Sequence, residues 1–146
     1  MESSKRFVEK IRKGGVCIGV GITFTDATAT EALCDLLDFV WIDMEHNALS
    51  LEAVQAHIIA TKASRTVPLV RVCANDPILI KTVLDIGAAG IIVPMVRTVQ
   101  EATLAVQACR YPPQGIRGIG PRRASNYGRS LDVDFFRKAN EDILVM

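Results

Sequence analysis

Residues 39–58 read FVWIDMEHNALSLEAVQAHI, and they contain the clearest strand–helix pattern of the chain. Its first four residues are apolar, so a strand formed from them would be buried on both faces, and Asp43 closes the run. A polar loop follows, and Ser50 then stands where a helix cap is expected. The inner face of the predicted helix consists of Leu51, Val54, Ile58 and Thr61. A doubly buried strand followed by an amphipathic helix predicts a parallel sheet covered by helices.

The same unit recurs along the chain. The predicted strands cover 16–22, 39–43, 67–72, 90–94 and 143–146. The intervening helices are predicted to start after Thr25 or Asp26, Ser50, Asp76 and Thr98, and a short helix is predicted over 132–140. An open doubly wound sheet and a (β/α)₈ barrel both fit this alternation. Because a barrel typically needs about 250 residues, the pattern also suggests a truncated chain, or a half-barrel that needs a partner.

Composition excludes several classes of protein. Lys and Arg number 17 against 16 Asp and Glu, so the chain lacks the basic excess of a nucleic-acid or anionic-membrane surface. No apolar run approaches the roughly 20 residues of a membrane helix. The four cysteines lie in apolar contexts without a Cys-x-x-Cys pair, so we expect buried free thiols in a cytoplasmic protein.

Polar residues gather where the predicted strands end, which is where both candidate folds place function. The second strand ends in Asp43-Met44-Glu45-His46 and the third in Arg71, and Asp85 lies in the helix after it. His46 beside carboxylates is a candidate general base. The acids could equally be turn or cap residues, and Arg71 could be their ion-pair partner.

Two other polar features are interpreted differently. His57 lies beside the apolar stripe of its helix, which favours a satisfied structural histidine. The glycine- and arginine-rich loop 115–123 is not a nucleotide-binding fingerprint, because Arg123 stands where the last glycine would be. We expect a structured loop at the barrel mouth or at a subunit interface.

Five segments, in this order and spacing, resemble the HpcH/HpaI aldolase family, which includes 4-hydroxy-2-oxo-heptanedioate and 2-dehydro-3-deoxyglucarate aldolases. The Asp-x-Glu-His and Arg-Tyr-Pro-Pro-x-Gly-x-Arg-Gly patterns are specific in combination. The segments are 43–46, 71–76, 84–88, 93–96 and 110–118. The resemblance implies an α/β fold, a (β/α)₈ TIM barrel of the phosphoenolpyruvate/pyruvate superfamily. Residues 1–146 would form the N-terminal half of that single domain.

The resemblance also implies a reaction: metal-dependent, reversible cleavage of a 4-hydroxy-2-oxo acid to pyruvate and an aldehyde. His46 matches the base, Asp85 the carboxylate that supports it, and Arg71 the arginine that steadies the enolate. Asp43 and Glu45 match acids around the site. The divalent metal (Mg²⁺, Mn²⁺ or Co²⁺) is expected to take its ligands from residues beyond Met146, with none in this chain. A homo-oligomer, trimer or hexamer, is expected.

Three alternatives stay open at this point. The same site could decarboxylate oxaloacetate and form a carbon–carbon bond, as in enzymes of the macrophomate synthase type. The short chain could be catalytically silent. Schiff-base chemistry is disfavoured, because every lysine lies in a predicted helix or near a terminus and none at a strand end.

Overall fold

The chain forms a parallel sheet whose five strands are hydrogen-bonded in the order in which they occur in the sequence. The computed structural model describes residues 2–146. The strands are β1 (Gly19–Ile22), β2 (Phe39–Asp43), β3 (Val67–Arg71), β4 (Gly90–Ile92) and β5 (Leu144–Val145). A doubly wound sheet would reverse its strand order at a switch point. The unbroken order therefore identifies this sheet as part of a (β/α)₈ barrel.

Helices follow the strands as predicted, and four of them begin after the predicted N-cap residues. The helices are α1 (Glu2–Arg12), α2 (Ala27–Leu33), α3 (Leu51–Ala60), α4 (Pro77–Asp85), α5 (Val99–Cys109) and α6 (Phe135–Asp142). Asp26, Ser50 and Asp76 each accept a backbone N–H of the first turn through the side chain. Thr98 and Glu101 form the predicted capping box at the start of α5.

The two faces of the sheet bury different residues. Val40 and Ile42 of β2 point outward into the core shared with the helices, together with Val54 and Ile58 of α3. The alternate residues point to the inner face, where Phe39 packs near Leu69. Phe7 of α1 meets the Phe39 ring edge-on at 5.7 Å, so α1 covers the amino-terminal end of this face.

The predicted elements differ from the observed ones mainly at their ends. β1 begins at Gly19 rather than at residue 16, because Val16 and Ile18 are exposed. β4 ends at Ile92 before Pro94, which has no N–H for a ladder. Of the cysteines, Cys34 and Cys109 are buried but Cys73 is exposed and Cys17 intermediate, so the prediction of four buried thiols is wrong. Within residues 2–146, no helix has both the length and the apolarity to cross a membrane.

Candidate active site

Asp43 and Arg71 end adjacent strands in direct register and meet on the inner face of the sheet. The Nε and Nη2 atoms of Arg71 donate to the two oxygens of Asp43, each over 2.9 Å. Asp43 also accepts the Glu45 backbone N–H and the Asn47 side-chain amide. The Arg71 hydrogen bonds are the main cause that lowers the pKa of Asp43 to about 2, so Asp43 is fully ionised at neutral pH.

Glu45 joins His46 to this pair. Its Oε2 lies 3.1 Å from Nη1 of Arg71 and 3.5 Å from Nε2 of His46. The Glu45 side chain is largely buried, whereas that of His46 is 69% exposed and open to a reactant. Four of the five predicted site residues are therefore brought together at the carboxyl-terminal edge of the sheet. The ion-pair interpretation of Arg71 is confirmed, and its role towards a substrate stays a prediction.

Trp41 belongs to the same site and was not predicted. The guanidinium carbon of Arg71 lies 4.8 Å from the centroid of the indole ring. Such stacking fixes the plane of a guanidinium and leaves its N–H groups free to point sideways. The alternation of side chains in β2 could have revealed Trp41, because residues two apart in a strand share a face and Asp43 follows at that spacing.

Asp85 lies at the other edge of the sheet from His46 of the same chain, so its support of His46 stays a prediction. A helix that follows a parallel strand runs back, so its last residue lies at the amino-terminal edge of the sheet. Ala89, four residues on, donates its N–H to Pro68 O near the start of β3. Asp85 instead accepts a 2.7 Å hydrogen bond from Nη2 of Arg117.

The loop after α5 lies at this same amino-terminal edge, next to the end of α4, and not at the barrel mouth. Its alternative place, at a subunit interface, stays a prediction. Arg117 is almost fully buried and its guanidinium lies 4.4 Å from the Tyr111 ring centroid. Gly115 is needed for the turn, because a Cβ there would lie 2.3 Å from the carbonyl oxygens of Gln107 and Arg110. The loop is structured, as predicted, and it positions Arg117 next to Asp85.

His57 is the structural histidine that the sequence predicted. It is fully buried, with Nε2 2.8 Å from Phe24 O and Nδ1 2.8 Å from Thr30 Oγ1. A carbonyl oxygen only accepts, so Nε2 carries a proton. Both ring nitrogens have hydrogen-bond partners, and His57 takes no part in the cluster around Arg71.

The carboxylates at the site do not fit a divalent metal. Both oxygens of Asp43 and Oε2 of Glu45 already lie within hydrogen-bonding reach of Arg71. In the part of the chain that the structure describes, no three His, Cys, Asp or Glu side chains are grouped so that they could hold a metal ion. Hard divalent cations need several oxygen ligands.

The model of the HpcH/HpaI aldolase/citrate lyase family matches residues 23–146. The 5-keto-4-deoxy-D-glucarate aldolase of Escherichia coli (strain K12) is 37% identical over 90% of this chain and 51% of its own length. An HpcH/HpaI family structure from Burkholderia cenocepacia J2315 superposes with a TM-score of 0.84 at 30% identity, over 97% of this chain and 56% of that one. Macrophomate synthase superposes with a TM-score of 0.79 at 29% identity, over 99% of this chain and 50% of its own.

The chain thus spans about half the length of these relatives. The matched segment includes both edges described above, from the Asp43–Arg71 pair to the Arg117 loop. Fold and sequence lead to the same assignment. The chain belongs to the HpcH/HpaI aldolase/citrate lyase family.

Proposed function

We propose that this chain supplies half of the active site of a pyruvate-dependent aldolase, which cleaves a 4-hydroxy-2-oxo acid to pyruvate and an aldehyde. The main support for this proposal is a connected cluster of polar side chains at the carboxyl-terminal edge of the sheet, formed by Asp43, Arg71, Glu45 and His46. In barrels of this class, catalytic groups come from the ends of several strands. The family relationship supports the reaction class, and the cluster supports the roles of the residues.

Arg71 is proposed to orient the oxygen atoms of the 2-oxo acid. A guanidinium has five N–H donors, and three of them face Asp43 and Glu45. The two that remain can donate to a carboxylate or to the enolate oxygen that develops as the carbon–carbon bond breaks. With Trp41 beneath it and two carboxylates at its edge, the group needs little reorganisation during the reaction.

His46 is proposed to take the proton of the 4-hydroxyl group. The imidazole is exposed, and its Nε2 is 3.5 Å from Glu45, which would stabilise the imidazolium that forms. Glu45 is thus the carboxylate that assists His46 within one chain. Asp85 is proposed to assist it from a neighbouring copy in a homo-oligomer, trimer or hexamer. Its Oδ2 accepts no hydrogen bond from residues 2–146 and remains open to such a contact.

A divalent metal, Mg²⁺, Mn²⁺ or Co²⁺, is proposed to complete the site from ligands beyond Met146. The formal charges of Asp43, Glu45 and Arg71 leave a net negative charge, which would repel a 2-oxo acid. A site for an anionic substrate at this position therefore needs further positive charge. The proposed setting is the cytoplasm, with a small 2-oxo acid and an aldehyde as the only partners besides other copies of the chain.

The role of Asp85 is tested by mixing inactive subunits of the completed barrel. His46→Ala and Asp85→Asn would each be inactive alone, but mixed oligomers would regain activity, because some interfaces pair an intact His46 with an intact Asp85. The matched control mixes His46→Ala with Arg71→Lys, which both affect the same edge of one chain. Restored activity in the control alone, or in neither mixture, would contradict the proposed contact.

A second candidate function is favoured by the likeness to macrophomate synthase. An enzyme of that type would release an enolate from oxaloacetate and use it to form a carbon–carbon bond. Pyruvate release from oxaloacetate, compared with release from a 4-hydroxy-2-oxo acid, separates the two. A strong preference for oxaloacetate would replace the first proposal by the second, with the same roles for Arg71 and the cluster.

A further inference from the structure

A cavity of about 440 Å³ opens at the amino-terminal edge of the sheet, between α1, the end of α3, the start of β3 and the loop that joins α5 to α6. Thr66 lines it just before β3 begins, whereas Arg71 ends that strand, roughly 16 Å further along. The cavity is therefore separate from the proposed catalytic cluster. Because β3 is the central strand of the sheet, the walls lie within this half of the barrel.

The lining of this cavity carries positive charge only. Of its described residues none is a carboxylate, and four are cations that come from three different segments of the chain: Arg6, Lys62, Arg65 and Arg123. Among residues 3–146, no carboxylate forms an ion pair with any of the four. Asp38 attracts Arg6, but both of its oxygens already accept from Lys10. The chain as a whole is nearly neutral, so this excess of positive charge is local.

The helices that end at this edge balance only part of the charge. Lys62 lies just after α3, and Arg123 donates through Nη1 to the carbonyl oxygen of Ile86, at the end of α4. The carboxyl-terminal end of a helix carries about half a negative charge, so two such ends offset roughly one of the four cations. Most of the positive charge therefore has no counterpart in the lining.

Arg123 is the lining cation that most needs a counter-ion. Its side chain is half-buried and packs over Gly87, where a Cβ would collide with Nη1. Burial lowers the pKa of its guanidinium, and no carboxylate offsets that effect. A charged group that is removed from water is normally paired with an opposite charge. Residues 3–146 supply none for Arg123.

We propose that this cavity binds a small anion that carries two or more phosphate groups. Guanidinium groups bind phosphate oxygens through paired N–H donors, and the exposed Arg6, Lys62 and Arg65 can turn towards a ligand. A single carboxylate would leave most of the charge unbalanced, whereas a diphosphate matches it. The volume is within the range of ligand pockets. The site shares no residue with the proposed catalytic cluster, so neither proposal depends on the other.

Inorganic pyrophosphate is the probe, and acetate at equal ionic strength is the control for simple charge attraction. Isothermal titration without divalent metal should show one pyrophosphate site per chain with a Kd of about 0.1 mM or tighter. Acetate should bind at least about tenfold more weakly. Amide NMR shifts should concentrate at Lys62, Arg65 and Gly87. Equal affinities, no pyrophosphate binding at about 5 mM, or shifts confined to the region of Arg71 would overturn the proposal.

A second titration, with adenosine diphosphate, distinguishes a free diphosphate from an esterified one. Tighter binding than that of pyrophosphate would indicate that an organic group packs against the apolar walls, Ile58 and Pro68. Weaker binding would identify the free anion as the preferred ligand. Either result supports a diphosphate site, provided that the NMR shifts remain at Lys62 and Arg65.

Substitutions that remove one charge locate the probe. Arg123→Gln should weaken pyrophosphate binding about tenfold or more, and Arg65→Gln should weaken it several-fold. Arg65 forms no ion pair among residues 3–146, so this variant tests the site even if Arg123→Gln does not fold. Arg129→Gln is the matched control, because it removes the same charge from an exposed position of the same loop outside the cavity. An equal loss in Arg129→Gln, or no loss in the other two, would refute the site.

Carboxylates of a second copy of the chain are the competing occupants of the cavity. They would make the four cations part of a subunit interface and leave no room for a soluble anion. Analytical ultracentrifugation of the parent and of Arg65→Gln separates the two cases. The proposal predicts the same oligomeric state for both proteins. Dissociation of Arg65→Gln, together with no pyrophosphate binding by the parent, would overturn it.

Discussion

Arg71→Met should destabilise the fold by about 2 kcal/mol at pH 7, chiefly through Asp43. In the folded chain the pKa of Asp43 is lowered to about 2, against an ordinary 3.8, and the Arg71 hydrogen bonds are the largest cause. At about 1.4 kcal/mol per pKa unit, this difference corresponds to about 2.5 kcal/mol of stability, of which Arg71 supplies the largest part. Asp43 is buried, so solvent screening reduces the value little. Methionine keeps the length of the side chain and removes its charge.

The stability lost in Arg71→Met should depend on pH, in a direction set by the lowered pKa of Asp43. A carboxylate whose folded pKa is lowered contributes stability that is fully present above its unfolded pKa and is lost as the pH falls through the folded value. The gap in unfolding free energy between the parent and Arg71→Met should therefore be full above pH 3.8 and should close towards pH 2. Urea titrations across this range, with carbon-detected NMR of the Asp43 carboxyl, measure both quantities.

Arg65→Met is the matched control. Arg65 is exposed and forms no ion pair among the residues that the structure describes, so its replacement should change stability by less than about 0.5 kcal/mol. Equal effects of the two substitutions, or an Asp43 pKa that stays near 2 in Arg71→Met, would refute the reasoning. In that case the hydrogen bonds from Glu45 and Asn47 would account for the low pKa.

Three further predictions concern activity in the completed barrel. His46→Ala should lower kcat roughly 10²–10⁴-fold while pyruvate still binds; near-normal cleavage in a coupled pyruvate assay would make His46 a structural residue. Arg71→Lys should lose most activity, because an ammonium cannot contact Asp43, Glu45 and the substrate in one plane, and unchanged kinetics would remove Arg71 from the site. Borohydride with pyruvate should trap no adduct, and a pyruvyl-lysine found by mass spectrometry would establish Schiff-base chemistry.

The sequence predicted the parts of the fold that are governed by local chemistry. Asp26, Ser50, Asp76 and Thr98 are caps because short polar side chains can satisfy the first N–H groups of a helix, and that requires no knowledge of the rest of the chain. The meeting of Asp43 and Arg71 was also predictable, because adjacent parallel strands bring their carboxyl ends to one edge.

The sequence could not place residues whose position depends on the direction of a whole element. Asp85 lies at the end of a helix of nine residues, which places it at the opposite edge of the sheet from His46, so its predicted support of His46 stays a prediction. The loop around Arg117 lies at that edge too, because α5 also returns there, and its predicted place at a subunit interface stays a prediction. The sequence identified Trp41 only as part of an apolar strand. Its contact with Arg71 follows when the residues of β2 are assigned to the two faces of the sheet.

The most direct test of the central claim is pyruvate release from a 4-hydroxy-2-oxo acid in the presence of Mn²⁺. It is measured for this chain alone and for the chain joined to the missing half of its barrel, with Mn²⁺ binding followed by isothermal titration. We predict weak Mn²⁺ binding and no turnover by the chain alone, and metal-dependent turnover by the completed barrel. Tight stoichiometric binding with turnover by the chain alone, or an inactive completed barrel that binds Mn²⁺, would contradict the account.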